Sequence, residues 1–276
     1  MELLTALIIL ILTGIGVGFA GGLLGVGGSF IMVPVLFFLF TEMDFSPDIA
    51  IKLAFGTNLL VVFPTALSGA WTHAKKGAVW WKAGAVLGVC GAAGALLGST
   101  VTSQFLTAEV LRPVFGLVVA LGGVKMLTGK LQETEEDPKE TPLVWALYGS
   151  LIGITSGMIG IGGGIITVPV LAMALKFKMH PAVGTSLSMM VFTSIAGSIG
   201  YIFNGLSVPH LPPFSLGYVN LLAWGSLAMT SIPVAHIGAR TAHKLPATRL
   251  RYLFIAVMFY VALKMIGVFK WLGLPL

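Results

Sequence analysis

Charge is what this sequence has least of. Asp, Glu, Lys and Arg make up 9% of its 276 residues, against 57% hydrophobic residues. Soluble domains run near a quarter charged, so this chain cannot cover a water-facing surface. Cysteine is nearly absent too: Cys90 stands alone, which excludes an internal disulfide and leaves the redox compartment unread. Carboxylates are missing from the apolar stretches. All ten (Glu2, Glu42, Asp44, Asp48, Glu109, Glu133, Glu135, Glu136, Asp137 and Glu140) fall at termini, loops or one polar stretch. Proton pumps and cation carriers keep a carboxylate inside the membrane, so a cation substrate is disfavoured. Met1 to Leu12 holds Glu2 and no Lys or Arg, against the pattern of a cleaved signal peptide. There is no G-x-S-x-G and no Walker lysine, and the glycine strings lack a βαβ context. Transport driven by ATP on this chain alone is therefore excluded. His73, His180, His210 and His243 lie at separate segment ends without ligand spacing. The reading is no metal, no cofactor, no catalytic cluster and no enzyme. The net charge of +6 sits in short loops and at segment ends, where topology signals lie, and does not point to nucleic acid.

What is present is apolar length. Leu3 to Phe40 and Ala83 to Val101 are long enough to need lipid or neighbouring helices. The 36 glycines and 14 prolines lie inside such runs, as membrane helices allow. A repeat follows. GGLLGVGGSFIMVPVL (21–36) aligns with SGMIGIGGGIITVPVL (156–171), with identity at Gly22/Gly157, Gly25/Gly160, Gly27/Gly162, Gly28/Gly163, Ile31/Ile166 and the Val-Pro-Val-Leu ends. AFGTNL ending at Leu59 answers AVGTSL ending at Leu187; Leu111-Arg112 answers Leu250-Arg251, and Lys125-Met126 answers Lys264-Met265. The chain divides into residues 1–128, a polar cytoplasmic linker 129–141, and 142–276.

Charge changes sides between the halves. Lys75, Lys76 and Lys82 fall in a loop whose counterpart, 201–214, has no Lys, Arg, Asp or Glu. Lys244, Arg249 and Arg251 fall in one whose counterpart, 102–109, has no cation. Glu42, Asp44 and Asp48 are answered by Lys176 and Lys178. By the positive-inside rule the halves are inverted. The expected fold is an all-α polytopic membrane protein of two inverted repeats, each of about five helical segments. Each repeat opens with a glycine-tipped broken-helix hairpin, 3–40 or 143–174, and both termini lie outside a bacterial-type inner membrane. Trp71, Trp80, Trp81, Trp145 and Trp271 fall near expected segment ends, as interfacial tryptophans do.

Inverted repeats with broken helices point to a secondary transporter whose site lies near the midplane. A turn at that depth exposes backbone groups that protein, water or ligand must satisfy. Gly25, Gly27, Gly28 and Ser29, and Gly160, Gly162, Gly163 and Gly164, would offer amides to an anion, with short helices behind them directing their N-termini at the tips. Gly14, Gly16 and Gly18, and Gly91, Gly94 and Gly98, read as close packing instead. Thr57, Asn58, Thr185 and Ser186 either supply side-chain donors or bond back to their own helices, as do Thr65, Ser68, Ser188 and Thr193. Pro34 and Pro169 would break hydrogen-bond continuity one turn in and act as hinges. Lys52 either snorkels to the outer face or attracts an anion. His236, matched by Leu96, is either a buried neutral ring or a proton relay.

The paired Gly-x-Gly-Gly-Gly/Ser…Val-Pro-x-Leu blocks and the Gly-Thr-Asn/Ser segments closely resemble the TauE/SafE family of sulfite and organosulfonate permeases, over essentially the whole chain. The resemblance implies a membrane permease or exporter of a small sulfur-containing anion, such as sulfite or a sulfoacetate-like sulfonate, with the bilayer and the anion as partners. Ser29 against Gly164, and Asn58 against Ser186, make the halves unequal. The alternatives are an anion channel and, lower, a membrane-embedded enzyme or assembly subunit. Homo-oligomerisation is left open.

Overall fold

The structure, a computed structural model, describes residues 3–128, 141–242 and 247–268. Most of the acidic linker, His243, Lys244 and Trp271, together with the side chains of Arg249 and Arg251, lie outside the described residues. The protein is an all-α, polytopic membrane protein. Its first half comprises α1 (Leu3–Leu24), α2 (Ser29–Glu42), α3 (Pro47–Ala74), α4 (Trp81–Phe105) and α5 (Ala108–Thr128). The second follows in the same order. It has α6 (Pro142–Ile159), α7 (Gly164–Pro169) running into a π-helical turn (Val170–Ala174), α8 (Met179–Gly205), α9 (Leu221–Thr241) and α10 (Ala247–Ile266). A two-residue hairpin, β1 (Ser215–Leu216) with β2 (Val219–Asn220), precedes α9 and was not expected from the sequence.

Local chemistry sets several of these boundaries. Pro47 and Pro142 start α3 and α6 at a position where the missing amide costs nothing. Ser46 caps α3 through Ile49 N at 3.4 Å, and Asn220 caps α9 through Ala223 N at 2.9 Å. Among the described residues, six helices, α1, α3, α4, α6, α8 and α9, are long and apolar enough to cross a bilayer. Large apolar side chains such as Leu97, Phe105, Leu143 and Met229 face outward, as a lipid-facing surface requires.

The helices pack in two ways. α1 runs parallel to α9, with Gly14, Gly18 and Gly22 set against the backbones of Leu227, Ser231 and Ala235. α6 runs parallel to α4 in the same manner, with Gly149, Gly153 and Gly157 against Leu87, Gly91 and Ala95. Each opening helix therefore packs on the fourth element of the other half, where small residues let backbones approach closely. The matched helices α3 and α8 run antiparallel: Gly56 lies against Tyr201, Leu59 against Gly197, and Gly69 against Leu187. α5 and α10 are antiparallel as well, with Gly116 near Ala262 and Gly123 near Phe259.

Two sequence expectations change. Trp145 is not interfacial; it is fully buried in a second apolar cluster with Leu87, Leu171 and Phe177. The Pro142 start places it inside the first turn of α6, facing α4 and α8 rather than headgroups. Gly16 is not a packing glycine, since a Cβ there would meet nothing within 4 Å. It points to lipid, on the face of α1 opposite to Gly14 and Gly18.

This contrast yields a test. Gly153→Leu would drive a side chain into the Gly91 backbone, with Gly91 Cα only 2.6 Å from the new Cβ. It should destabilise the protein by about 1–3 kcal/mol or more, read as a lower Tm in detergent, whereas Gly16→Leu should leave Tm unchanged.

Candidate functional site between the glycine tips

Both hairpins turn through left-handed backbone. φ is 70°, 71° and 67° at Gly25, Gly27 and Gly28, and 63°, 75° and 97° at Gly160, Gly162 and Gly163. Only glycine adopts three such angles in four residues without strain. Both turns are buried, and they meet. A Cβ on Gly164 would stand 2.6 Å from Val26 Cα, and Ser29 Oγ donates to Ile161 O at 2.8 Å.

A buried turn leaves carbonyls without partners, and here the opposite half supplies donors. Asn58 Nδ2 of α3 donates to Gly160 O. Ser186 Oγ, at the matching position of α8, donates to Gly25 O at 3.1 Å. Within the second half, Thr193 Oγ1 donates to Gly162 O and Thr167 Oγ1 to Gly163 O, both at 2.9 Å. The amides are different. Among the described residues no acceptor faces the N–H of Val26, Gly27 or Gly28, or of Gly162 or Gly163. The N–H groups of Ser29, Gly164 and Ile165 belong to first helical turns, which have no intrahelical acceptor. Two further buried polar atoms, Asn58 Oδ1 and Ser156 Oγ, also lack a partner. The tips thus hold a surplus of donors with no positive side chain. Concave rows of such amides bind anions.

The structure therefore brings together Gly25, Gly27, Gly28, Ser29, Asn58, Gly160, Gly162, Gly163, Gly164 and Ser186. Thr57 and Thr185 sit beside them but are turned outward. Thr57 Oγ1 accepts from Asn220 N at 2.9 Å, and Thr185 Oγ1 accepts from Trp80 N at 3.0 Å. They bind the segments that lead into α9 and α4. Lys52 and His236 do not reach the tips. Lys52 Nζ donates to Ser103 O at 3.0 Å, 5.9 Å from the Tyr218 ring centroid. His236 Nδ1 lies 2.6 Å from Thr72 Oγ1. Thr72 Oγ1 also lies 2.9 Å from Ser68 O, one turn earlier in α3. Pro34 lies within an unbroken α2, while Pro169 ends α7 where the backbone widens into the π turn. No cluster of three metal-ligating side chains occurs among the described residues.

Two features escaped sequence reasoning. His73 is buried, and its Nε2 donates to Gly22 O at 3.2 Å, at the end of α1. A carbonyl only accepts, so that nitrogen carries the proton. Tyr201 does the same in the other half, donating from Oη to Gly157 O at 3.0 Å. Extending the match between the Gly-Thr segments along α3 and α8 pairs His73 with Tyr201. The second feature is the pair Val62 and Met190, matched in the same way, whose side chains lie between Gly27 and Gly162.

The family described as sulfite exporter TauE/SafE matches residues 10–265. A probable membrane transporter protein of Haemophilus influenzae is 30% identical over 264 residues, covering 95% of this chain and 98% of its own. Another of Methanocaldococcus jannaschii is 29% identical over 265 residues, covering 96% and 97%. Bacillus subtilis YunE, also named a probable membrane transporter protein, is 28% identical over 216 residues, covering 72% and 79%. No solved structure matches the chain. With both glycine tips inside the matched range, this integral, multi-pass membrane protein belongs to the TauE/SafE sulfite exporter family.

Proposed function

We propose that the protein is a secondary transporter that exports a small sulfur-containing oxyanion, sulfite or a simple sulfonate, from a site between the two glycine tips. The observation that carries this reading is the set of buried amides at Gly27, Gly28, Gly162 and Gly163 with no acceptor among the described residues. Unsatisfied buried donors are costly, and an oxyanion that accepts from them relieves that cost. Neutral dipoles in place of a lysine hold an anion without trapping it, which suits a carrier that must release its cargo. Export and the sulfur chemistry rest on the family's description and belong to this proposal.

Two inverted halves that alternate access around that site fit the packing. The matched helices α3 and α8 run antiparallel through the centre, and each tip is held by a donor from the other half. A rocking movement that carries Asn58 away from Gly160 would free its amide for the anion, and the same holds for Ser186 and Gly25. The side-chain donors then exchange a carbonyl for the substrate. Thr57 and Thr185 would move with the entrances of α9 and α4.

Two outcomes follow. Sulfite should raise the Tm of the purified protein by mass action, adding about 2.7 kcal/mol of stability at one hundred times its Kd, with sulfate and chloride at matched ionic strength giving far less. Equal shifts for all three salts would contradict a specific site. Gly27→Leu and Gly163→Leu, each adding a side chain at positive φ at a cost of about 1–3 kcal/mol, should insert in membranes yet lose flux into proteoliposomes. Wild-type flux in both variants would remove the tips from transport.

A further inference from the structure

The space between the tips is not empty. Val62 of α3 and Met190 of α8 fill it, and both are fully buried. A Cβ on Gly162 would stand 3.0 Å from Val62 Cγ1 and 3.3 Å from Met190 Cε. A Cβ on Gly27 would overlap Met190 Cε and lie 3.6 Å from Val62 Cγ1. Met190 also borders the start of α7, where a Cβ on Gly164 would lie 2.7 Å from its sulfur. One thioether arm therefore touches Gly27, Gly162 and Gly164, which come from both tips. The amides of all three have no acceptor among the described residues.

The two side chains differ in the property that matters for a moving part. Valine is branched at Cβ and confined to few χ1 values. Methionine is unbranched, with three rotatable bonds and a polarizable sulfur, and it refits irregular spaces at small cost. They occupy matched positions, each six residues after the glycine of its Gly-Thr segment, Gly56 or Gly184. The wall on the α3 side is fixed, and the wall on the α8 side can swing.

We propose that Met190 is the specificity-determining residue of the anion site. Its terminal methyl and sulfur stand where the substrate will sit. On binding, the arm swings aside, and together with Val62 it limits the substituent that an oxyanion can carry between the tips. This rests on the reading of the tips as the anion site. Neither Val62 nor Met190 offers a hydrogen bond to a charge, so the part of the ligand that faces them must be short and apolar. Burying a second charge against them without a partner is strongly unfavourable. The favoured class is a sulfur oxyanion with one charged head and either a bare lone pair or a small alkyl group. Sulfite and methanesulfonate belong to it; sulfoacetate, with its second carboxylate, does not.

The test is a binding series on the purified full-length protein in detergent. Wild type, Met190→Ala, Met190→Val and Val62→Met are titrated with sulfite and with methane-, ethane- and propanesulfonate. In wild type, affinity should fall along the alkyl series. Met190→Ala should raise the propanesulfonate-to-methanesulfonate affinity ratio by about tenfold, the gain expected from accommodating two more methylenes. Met190→Val should raise it less, and Val62→Met should lower it. A ratio unchanged within about twofold in both Met190 variants, in a protein that binds sulfite, overturns the role of Met190 and leaves the anion site standing. Absence of sulfite binding in wild type overturns the anion site and this proposal with it. If the variants do not fold, methyl-labelled methionine in the wild-type protein answers instead. The Met190 resonance, assigned by its loss in Met190→Leu, should shift at saturating sulfite, and an unmoved resonance overturns the proposal.

Discussion

The carbonyl oxygens of two buried glycine turns are the constraint from which the rest of the architecture follows. A turn at the centre of a membrane protein has no water to solvate it, and an unsatisfied backbone group there costs several kcal/mol. Neither tip meets this need from its own hairpin alone. Asn58 reaches Gly160 and Ser186 reaches Gly25, so each half supplies the donor that the other half's turn requires. This exchange holds α3 and α8 at the centre, antiparallel, with the Gly-Thr segments level with the tips. It also leaves the amides over, since among the described residues no acceptor has come for the donors. The chemistry open to the site is thus the remainder of a structural necessity.

The tips are unequal in how firmly they are held. In the second, donors reach four successive carbonyls: Asn58 on Gly160, Ser29 on Ile161, Thr193 on Gly162 and Thr167 on Gly163. In the first, the side-chain donor is Ser186 on Gly25. The residue matched to Thr193 is Thr65, which turns away to Val61 O and Ser231 Oγ. The residue matched to Thr167 is Met32, which has no hydroxyl. The second turn is the braced one, and Met190 leans on it from α8.

Much of this was legible in the sequence, for physical reasons. Glycines at fixed spacing before a proline mark a turn whose backbone angles no other residue adopts, so the tips, the hairpin segments and the helix order could be read directly. Asn58 and Ser186 could be singled out because they recur behind the same Gly-Thr pair. Their partners could not, since a donor's acceptor depends on which helix crosses it. The same limit hid His73, whose carbonyl lies on α1, and Met190, an ordinary apolar residue until two backbones are seen to converge on it. Trp145 was misplaced because a tryptophan near a helix end looks the same in sequence whether it faces headgroups or α4. Gly16 was misplaced because it lies between two packing glycines and one helix face excludes it.

The parallel seating of α1 on α9 has a consequence for how the protein comes into being. The glycine face of α1 leaves the ribosome well before its partner, the stretch from Leu227 to Ala235, which is made some two hundred residues later. Until then Gly14, Gly18 and Gly22 have only lipid to face, which cannot fill their notches as a backbone does. The final packing of that face of α1 therefore waits on α9. α4 waits in the same way for α6. Contacts of such long sequence separation slow folding and prolong the exposure of unfinished surfaces. The interlock of α1 with α9 and of α6 with α4 thus ties the final packing of the early helices to the late ones.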